Sequence, residues 1–298
     1  MRTNSNLLLG YLLVIATAFF TAFSYIFGKM VSHTLYPETV ALYWFFGAFT
    51  IGILKRWIVL TLGIKQGFFI SDLKKYIPIT IISSIISIVG VALWIVALRV
   101  AGPPMTSFLM KFQVVFSVIL GVLFLNERLE RPEIFGIFLT FLGGLVITYD
   151  TSYFEFRGSL FAIASAFCYS CLFLVVKKMV SNLNMMMVVT LRSLGVAVFA
   201  IIYLVLTNKF QVPSAVDILY MFIGGTCGAY IGKACQFQAI KLVDISRTTA
   251  VTPLEAIFVL VLTFMFFDTI PSAIKLIGGG LIIAGILFLL TARQENFD

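Results

Sequence analysis

The sequence predicts an all-helical integral membrane protein with ten transmembrane helices arranged as two inverted five-helix repeats. Three observations predict this fold class: an apolar composition, ten apolar windows of helix length and a similarity between the two halves. Of the 298 residues, 61% are apolar and 11% are charged, and the mean hydropathy is +1.08. Because soluble domains are about a quarter charged, this composition excludes a water-soluble enzyme or nucleic-acid-binding domain. We therefore expect the chain to lie in a lipid bilayer.

Apolar windows long enough to cross a bilayer follow one another along the whole chain. A transmembrane helix needs about 20 mostly apolar residues, and each window is continuously apolar, whereas a barrel strand alternates. No interval between windows is long enough for a soluble domain. The windows lie near residues 7–29, 38–59, 76–98, 104–125 and 132–149 in the first half and near 158–178, 185–207, 216–239, 247–267 and 272–292 in the second.

The basic residues predict the orientation of these spans. The chain has 21 Lys and Arg residues and a formal net charge of +8. If the N-terminus is cytoplasmic, thirteen of them fall in cytoplasmic segments, five fall outside and three lie within spans. Cytoplasmic loops carry the excess of Lys and Arg in membrane proteins. We therefore expect a bacterial-type inner membrane protein with both termini in the cytoplasm, and we attribute the positive charge to this topology and not to a nucleic-acid partner.

The two halves of the chain resemble each other. Shifts of 148 residues near the start and of 142 residues further along bring identical residues into register. The matches include Gly10 with Gly158, Lys29 with Lys177, Thr106 with Thr248, Gly136 with Gly278 and Gly143 with Gly285. Because each half has five spans, an odd number, the two halves cross the membrane in opposite directions. We expect an inverted repeat made of residues 1–150 and 151–298.

An inverted repeat indicates a mechanism. Two similar halves that pack in exchangeable ways can open a midplane site to each side of the membrane in turn, which is the principle of alternating access in secondary transporters. Two alternatives stay open at this point: a channel with the same symmetry, and a duplication retained only for packing. A secondary transporter of a small-molecule solute is the favoured interpretation.

Several short motifs resemble those of a known family. They are Leu123–Leu129 after the fourth span, Gly136, Gly143-Gly144, Leu191-Arg192 in the seventh span and Thr252-Pro253-Leu254-Glu255 in the ninth. Together they make the chain similar to the EamA-type transporters of the drug/metabolite transporter superfamily. The resemblance implies transport of small organic metabolites, notably amino acids and often outward. It also implies a central cavity lined by spans one to four and six to nine, with the fifth and tenth spans as peripheral supports.

A few polar residues lie far from any span end and are candidate solute-binding residues. A charged side chain at the bilayer centre costs about 2.5–3.5 kcal/mol on insertion scales, so it usually faces a cavity or a partner. The candidates are Lys111 and Gln113 in the fourth span, Lys233 in the eighth and Glu255 in the ninth. Arg192, near the start of its helix, is expected to snorkel to the cytoplasmic interface.

The charges within the spans favour a solute with a negative group. Three cations, Lys111, Arg192 and Lys233, stand against one carboxylate, Glu255. Glu255 is then available for an amino group of the solute, for proton coupling, or for a lysine that it pairs with to pin two helices. Uncoupled transport is the equal alternative to proton coupling. A phosphorylated sugar or nucleotide-linked solute, held by the two lysines, is the alternative to an amino acid.

Aromatic residues form a second group of candidates. Tyr230, Lys233 and Phe237 follow helical spacing and are expected on one face of the eighth span. The candidates for flat apolar walls of the cavity are Tyr43, Trp44, Trp94 and Tyr230. Because the chain also has 31 Phe residues, helix packing or lipid contact is the alternative role for each aromatic residue.

Glycine and proline mark candidate breaks and close contacts. Gly102, Pro103 and Pro253 are candidate helix breaks or hinges, since a moving span needs places that absorb changes in dihedral angle. The glycines at 143–144 and 278–280 permit close helix contact, either within the chain or in a homodimer.

The sequence offers no catalytic or cofactor-binding constellation. The four Cys residues lie in apolar stretches and the single His lies near a loop, so neither a metal site nor a nucleophile with its base is expected. A phosphate-binding loop of the ATPase type is also missing. We therefore expect a transporter that is not an enzyme and that uses no cofactor.

Overall fold

The computed structural model describes residues 4–62, 73–125, 131–149, 153–179, 183–242 and 253–294, which are mostly helical and contain no strand. The helices are α1 Asn4–Ser32, α2 Pro37–Thr61, α3 Leu73–Leu109, α4 Phe112–Leu125, α5 Arg131–Tyr149, α6 Tyr153–Met179, α7 Met185–Thr207, α8 Ala215–Gly224, α9 Lys233–Leu242, α10 Pro253–Phe267 and α11 Ala273–Gln294. A π-helical segment, Gly225–Gly232, joins α8 to α9.

These helices correspond to the ten spans that hydropathy predicts. Within the described ranges, 6 helices are long and apolar enough to cross a membrane, and shorter apolar helices account for further spans. The end of α3 and α4 together form the fourth span, and α8, the π segment and α9 form the eighth. Large apolar side chains on the outside of the bundle contact lipid, such as Trp57 and Leu206, which are 63% and 78% exposed. The predicted fold class, ten transmembrane helices in two inverted repeats, is confirmed.

The turn between the third and fourth spans is built from one glycine and two prolines. Gly102 has φ 78° and ψ 168°, a conformation that glycine adopts at little cost and other residues avoid. Pro103 and Pro104 begin the helical segment that follows, where their missing N–H groups leave no hydrogen bond unmade. The structure therefore places Gly102 and Pro103 at a bend, and a hinge motion at this bend stays a prediction.

A second interruption lies inside the fourth span. α3 ends at Leu109, Met110 and Lys111 form a turn, and α4 begins at Phe112. The N–H of Lys111 donates to the carbonyl oxygen of Phe108 at 3.1 Å, a three-residue step in place of the four-residue step of an α-helix. Discontinuous helices near the midplane are where transporters commonly place solute sites.

The eighth span changes its helix type where it meets α1 and α2. Glycines of the π segment face both neighbours closely. A Cβ at Gly228 would lie 2.6 Å from the Cβ of Ser24, and a Cβ at Gly225 would collide with the carbonyl oxygen of Trp44. Glycine therefore lets the backbone of the eighth span approach two helices of the first repeat at once.

The packing between the two repeats is reciprocal. α1 packs against α9 and α10 of the second repeat, and its counterpart α6 packs against α3 and α4 of the first. α2 packs against its own counterpart α7, and α5 packs against its counterpart α11. Such paired contacts are what two inverted copies of one five-helix unit produce.

α5 and α11 lie side by side and pack mainly against each other. A Cβ at Gly143 would lie 2.6 Å from the carbonyl oxygen of Gly278, and a Cβ at Gly285 would lie 2.7 Å from that of Gly136. Residue numbers rise along one helix as they fall along the other, so the two helices are antiparallel. These glycines thus provide close packing within one chain, and a homodimer stays a prediction.

Two basic side chains join the first and third spans at the end that we predict to be outside. Lys29 Nζ donates to the carbonyl oxygens of Leu98 at 3.1 Å and Arg99 at 3.2 Å. The guanidinium of Arg99 donates to the carbonyl oxygens of Ser32 and Leu35. The bend at Gly102 and the end of α1 leave these carbonyls without helical donors, so each cation satisfies acceptors of the other span or of the segment that follows it.

Candidate functional site

An ion pair joins the two repeats inside the bundle. Lys111 Nζ lies 2.9 Å from Glu255 Oε1, and the two side chains are 6% and 16% exposed. Lys111 lies at the interruption of the fourth span. Glu255 lies in the first turn of α10, where the N-terminal peptide dipoles favour a negative charge. The shift of 142 residues that aligns the repeats places Lys111 over Pro253, the first residue of α10, so the pair lies where equivalent positions of the two repeats meet.

A second lysine extends this charged cluster. Lys233 begins α9, and its Nζ donates to Gln236 Oε1 at 3.0 Å. The same nitrogen lies 5.6 Å from the ring centroid of Phe173 in α6. The charged groups within electrostatic range of Lys233 are Arg192, Glu255 and Lys111. Three cations and one carboxylate therefore gather in one region of the bundle, and we call these four residues the central charge cluster.

Arg192 is not at the membrane interface, so the prediction that it snorkels there is wrong. Its side chain is 6% exposed. The Nη1 atom donates to Ser87 Oγ at 3.3 Å, and the guanidinium lies 5.6 Å from the ring centroid of Phe45. The Ser84 hydroxyl donates to the carbonyl oxygen of Arg192 at 3.2 Å. Because α2 and α3 both pack on α7, they enclose the guanidinium and leave it no path to the interface.

Two tryptophans and a tyrosine form an aromatic cluster beside Glu255. The rings of Trp44 and Trp94 have centroids 5.7 Å apart, and those of Tyr25 and Trp94 are 5.3 Å apart. All three side chains are buried. Tyr25 also interacts with the carboxylate of Glu255, which makes Tyr25 a site residue that sequence reasoning missed. The signal was weak, since Tyr25 is one of 11 tyrosines and lies in an apolar first span.

Tyr43 and the backbone of Gln113 make contacts with neighbouring helices. Tyr43 packs with an apolar group of α2 and α7 that contains Leu42 and Ala197. The backbone carbonyl of Gln113 accepts a hydrogen bond from Ser170 Oγ at 2.8 Å, which fastens α4 to α6. The side chain of Phe237 lies outside the described residues.

Tyr230 and Lys233 do not contact the same neighbours. The prediction that the two residues share one face depends on α-helical spacing, but Tyr230 lies in the π segment. Its ring is close to Gly52 of α2 and its hydroxyl interacts with Thr190 of α7. Lys233 instead faces Phe173 of α6. The change of helix type therefore separates the two candidates.

A cavity of about 250 Å³ opens between α2, α7 and the eighth span. Its lining residues are Gly52, Lys55, Arg56, Val59, Asn184, Met186, Met187, Thr190, Tyr230 and Gln238. Gly52, Thr190 and Tyr230 are its buried members, whereas Lys55 and Arg56 belong to the segment that the charge count assigns to the cytoplasm. The cavity is thus a polar recess on the predicted cytoplasmic side, and Thr190 precedes Arg192 by two residues.

No metal centre is built by the part of the chain that the structure describes. No group of three His, Cys, Asp or Glu side chains comes together there. The four cysteines, Cys168, Cys171, Cys227 and Cys235, are free thiols of intermediate exposure.

Comparison with known proteins gives named relatives that are transporters. The chain is 25% identical over 212 residues to an S-adenosylmethionine uptake transporter of Rickettsia conorii, which covers 70% of each chain. It is 26% identical over 208 residues to a protein of the same description from Rickettsia bellii, covering 69% of this chain and 70% of the relative. The uncharacterized transporter YyaM of Bacillus subtilis is 22% identical over 290 residues, covering 93% of this chain and 92% of the relative.

The fold and the family extend over almost the whole chain. One solved crystal structure superposes with a TM-score of 0.64 at 16% identity, covering 98% of this chain and 100% of the other. At that identity the likeness concerns the fold alone. Residues 8–149 and residues 156–291 match the family described as EamA-like transporters. This chain belongs to the EamA-like transporter family.

Proposed function

We propose that this chain is a secondary transporter that moves amino-acid-type solutes by alternating access between its two repeats, residues 1–150 and 151–298. The observation that carries the proposal is the buried Lys111–Glu255 pair at the meeting point of the repeats. The head group of an amino acid presents a carboxylate and an ammonium, the same two charges as the pair. Such a solute can replace either partner without leaving a buried charge unmatched, which would be costly.

S-adenosylmethionine is the member of this class that we favour. It has an amino-acid head group, and it is the solute named in the descriptions of the Rickettsia relatives. Trp44, Trp94 and Tyr25 provide buried aromatic surface beside Glu255, which suits stacking with an adenine ring. Because those relatives are described as uptake transporters, we propose inward movement, where the family resemblance in the sequence suggested export.

Counterflow in proteoliposomes tests this function. Vesicles containing the purified protein are loaded with methionine, S-adenosylmethionine or glucose 6-phosphate, and uptake of the labelled counterpart is followed. We expect transient accumulation above equilibrium for an amino-acid-type solute and none in protein-free vesicles. Accumulation of the sugar phosphate alone would replace our solute class with phosphorylated solutes. A flux that only grows linearly with concentration would show a channel and overturn alternating access.

A pH gradient across the same vesicles decides between proton-coupled and uncoupled transport. Glu255 is the proton carrier that we propose, because it is the carboxylate of the central charge cluster. Proton coupling predicts that an imposed gradient drives net accumulation in the wild type. If the gradient changes the accumulation of no solute that shows counterflow, transport is uncoupled exchange.

The orientation of the chain is a separate prediction. We propose that the protein lies in a bacterial inner membrane with both termini in the cytoplasm, because the basic residues are concentrated on that side. Alkaline phosphatase fused after Asp298 is expected to be inactive. The same enzyme fused after Lys209, in the segment between α7 and α8, is expected to be active in the periplasm. The reverse pattern would invert the topology and would place the polar recess outside.

A further inference from the structure

Arg192 is a buried cation whose hydrogen-bonding capacity is incompletely used. Its Nη1 atom donates to Ser87 Oγ at 3.3 Å, but its Nε atom has no hydrogen-bond partner. Among the described residues, no carboxylate forms an ion pair with it. A guanidinium stays protonated in proteins, and buried donors nearly always have a partner. The described part of the chain therefore provides no partner for the Nε atom.

The charges near Arg192 make an anion the expected partner. Lys233 lies within electrostatic range of Arg192, and both of them are cations. The carboxylate of the cluster, Glu255, lies 2.9 Å from Lys111. That ion pair is neutral as a unit, so two positive charges remain unbalanced in the interior of the bundle. An amino-acid head group is neutral overall and leaves this net charge unchanged, but its carboxylate can pair with the unbalanced cations while its ammonium pairs with a carboxylate.

The geometry around the guanidinium suits such a group. The two N–H groups along one edge of a guanidinium match the two oxygens of a carboxylate. Ser87 accepts a hydrogen bond from Nη1, which holds the guanidinium in place and leaves the Nε edge for an anion. Phe45 covers the guanidinium at 5.6 Å from its ring centroid and shields it from water, which strengthens a charge-assisted hydrogen bond.

We propose that Arg192, positioned by Ser87 and assisted by the charge of Lys233, forms an anion subsite distinct from the Lys111–Glu255 pair. The identity of the anion rests on the proposed function: the subsite holds the carboxylate of the solute, and the amino group of that solute lies toward Glu255. The same chemistry would accept a free chloride ion. A chloride ion would offset one of the two unbalanced positive charges, whereas the head group of an amino acid leaves the net charge unchanged and pairs its carboxylate locally with Arg192.

Thermal unfolding of the purified protein with anionic probes tests the subsite without requiring transport. The probes are acetate, chloride, methionine and methioninol, in which an alcohol replaces the carboxylate of methionine. We expect the wild type to be stabilised by methionine and acetate and not by methioninol. Stabilisation by chloride, with no difference between methionine and methioninol, would identify the anion as inorganic and would still support the subsite.

Variants of Arg192 identify the binding residue. Arg192→Gln removes the charge, and we expect the apparent affinity for the stabilising anion to fall by about tenfold or more, as for loss of a charged hydrogen bond. Arg192→Lys keeps the charge but loses the two parallel N–H groups of the guanidinium edge. We expect an intermediate loss of apparent affinity for this variant, which keeps the test decisive if the glutamine variant fails to fold. Lys275→Gln is the matched control, because Lys275 pairs with Glu155 away from the cluster at 2.8 Å.

Two results would overturn the subsite, and neither depends on counterflow. One is a wild type that no anionic probe stabilises. The other is an Arg192→Lys variant that is stabilised by the anion as much as the wild type, together with a Ser87→Ala variant that is equally unaffected. If counterflow fails for every solute while Arg192-dependent stabilisation persists, the proposed function is wrong and the subsite stands.

Discussion

Neutralising either partner of the Lys111–Glu255 pair should reduce counterflow to less than about one-tenth of the wild-type rate, the size expected when one charged hydrogen bond is lost. The two side chains are 6% and 16% exposed and their charged atoms lie 2.9 Å apart. Removing one partner leaves the other buried without a counter-charge, which destabilises proteins by about 3–5 kcal/mol. Lys111→Met and Glu255→Gln are therefore expected to lower both transport and the unfolding temperature.

The double variant separates a solute-binding role from a structural one. Replacing both partners of a buried ion pair is often neutral for stability, so Lys111→Met combined with Glu255→Gln should recover the unfolding temperature. If the pair binds solute, the double variant stays inactive in counterflow. A stable double variant with wild-type flux would show that the pair only pins two helices, and our proposed function would lose its main support.

A second ion pair in the chain provides the control for these substitutions. Lys275 Nζ lies 2.8 Å from Glu155 Oε2, with side chains 15% and 38% exposed. Glu155 is the more exposed partner, and ion pairs that solvent reaches contribute about 0–1 kcal/mol. Lys275→Met should therefore leave counterflow and the unfolding temperature close to those of the wild type. A loss as large as that of Lys111→Met would mean that the effect is not specific to the site.

Gly143→Ala is expected to destabilise the protein, although alanine is the better helix former by about 1 kcal/mol. A Cβ at residue 143 would lie 2.6 Å from the carbonyl oxygen of Gly278 and 2.7 Å from the backbone nitrogen of Ile282. Backbone atoms cannot rotate away as a side chain can, so α5 and α11 must separate. Overpacking typically costs about 1–3 kcal/mol. Thermal unfolding in detergent measures the loss.

Gly280 is the matched control for this substitution. Gly280 belongs to the glycine run at 278–280 of α11, which also contains Gly278, the neighbour of Gly143. A Cβ at Gly280 would meet nothing within 4 Å. Gly280→Ala should therefore leave the unfolding temperature unchanged or raise it slightly. Equal unfolding temperatures for Gly143→Ala and Gly280→Ala would show that α5 and α11 are not packed as closely as the structure shows.

Most of the fold could be predicted because lipid imposes simple requirements on a sequence. Continuous apolar windows of about 20 residues determine where spans lie, and an odd number of spans per repeat determines that the repeats are inverted. The same reasoning identified Lys111 and Glu255, since a charge in the middle of a span requires a partner or a cavity. Sequence alone left open which partner each of them has.

The position of Arg192 could not be predicted from its distance to a helix end. Arg192 lies eight residues into α7, counting from Met185, which is close enough to the interface for a long side chain to reach water. Packing against α2 and α3 decides otherwise, and the residues that contact Arg192, namely Phe45, Ser84 and Ser87, are more than 100 positions away in the sequence. The nearest signal was the group of small polar residues in the third span, Thr80, Ser83, Ser84 and Ser87.

Two breaks in helical regularity escaped prediction, in contrast to the bend at Gly102 and Pro103. Met110 and Lys111 lie in an apolar stretch with no glycine or proline beside them. The local sequence therefore does not indicate an interruption of the helix there. The π segment has three glycines, Gly225, Gly228 and Gly232, but glycine by itself does not indicate a change of helix type. Both features depend on the neighbouring helices, which the local sequence does not describe.

The π segment makes the direction of every later side chain in the eighth span depend on a residue count. A π turn spans one residue more than an α turn, and each residue of an α-helix turns the chain by about 100°. Deleting a single residue between Gly224 and Lys233 would let the ladder return to α-helical bonding and would rotate α9 relative to α8. In such a protein the side chain of Lys233, which lies near Phe173 in this structure, would point in another direction. Insertions and deletions, which most proteins confine to loops, thus become a way for evolution to redirect a side chain inside a membrane span.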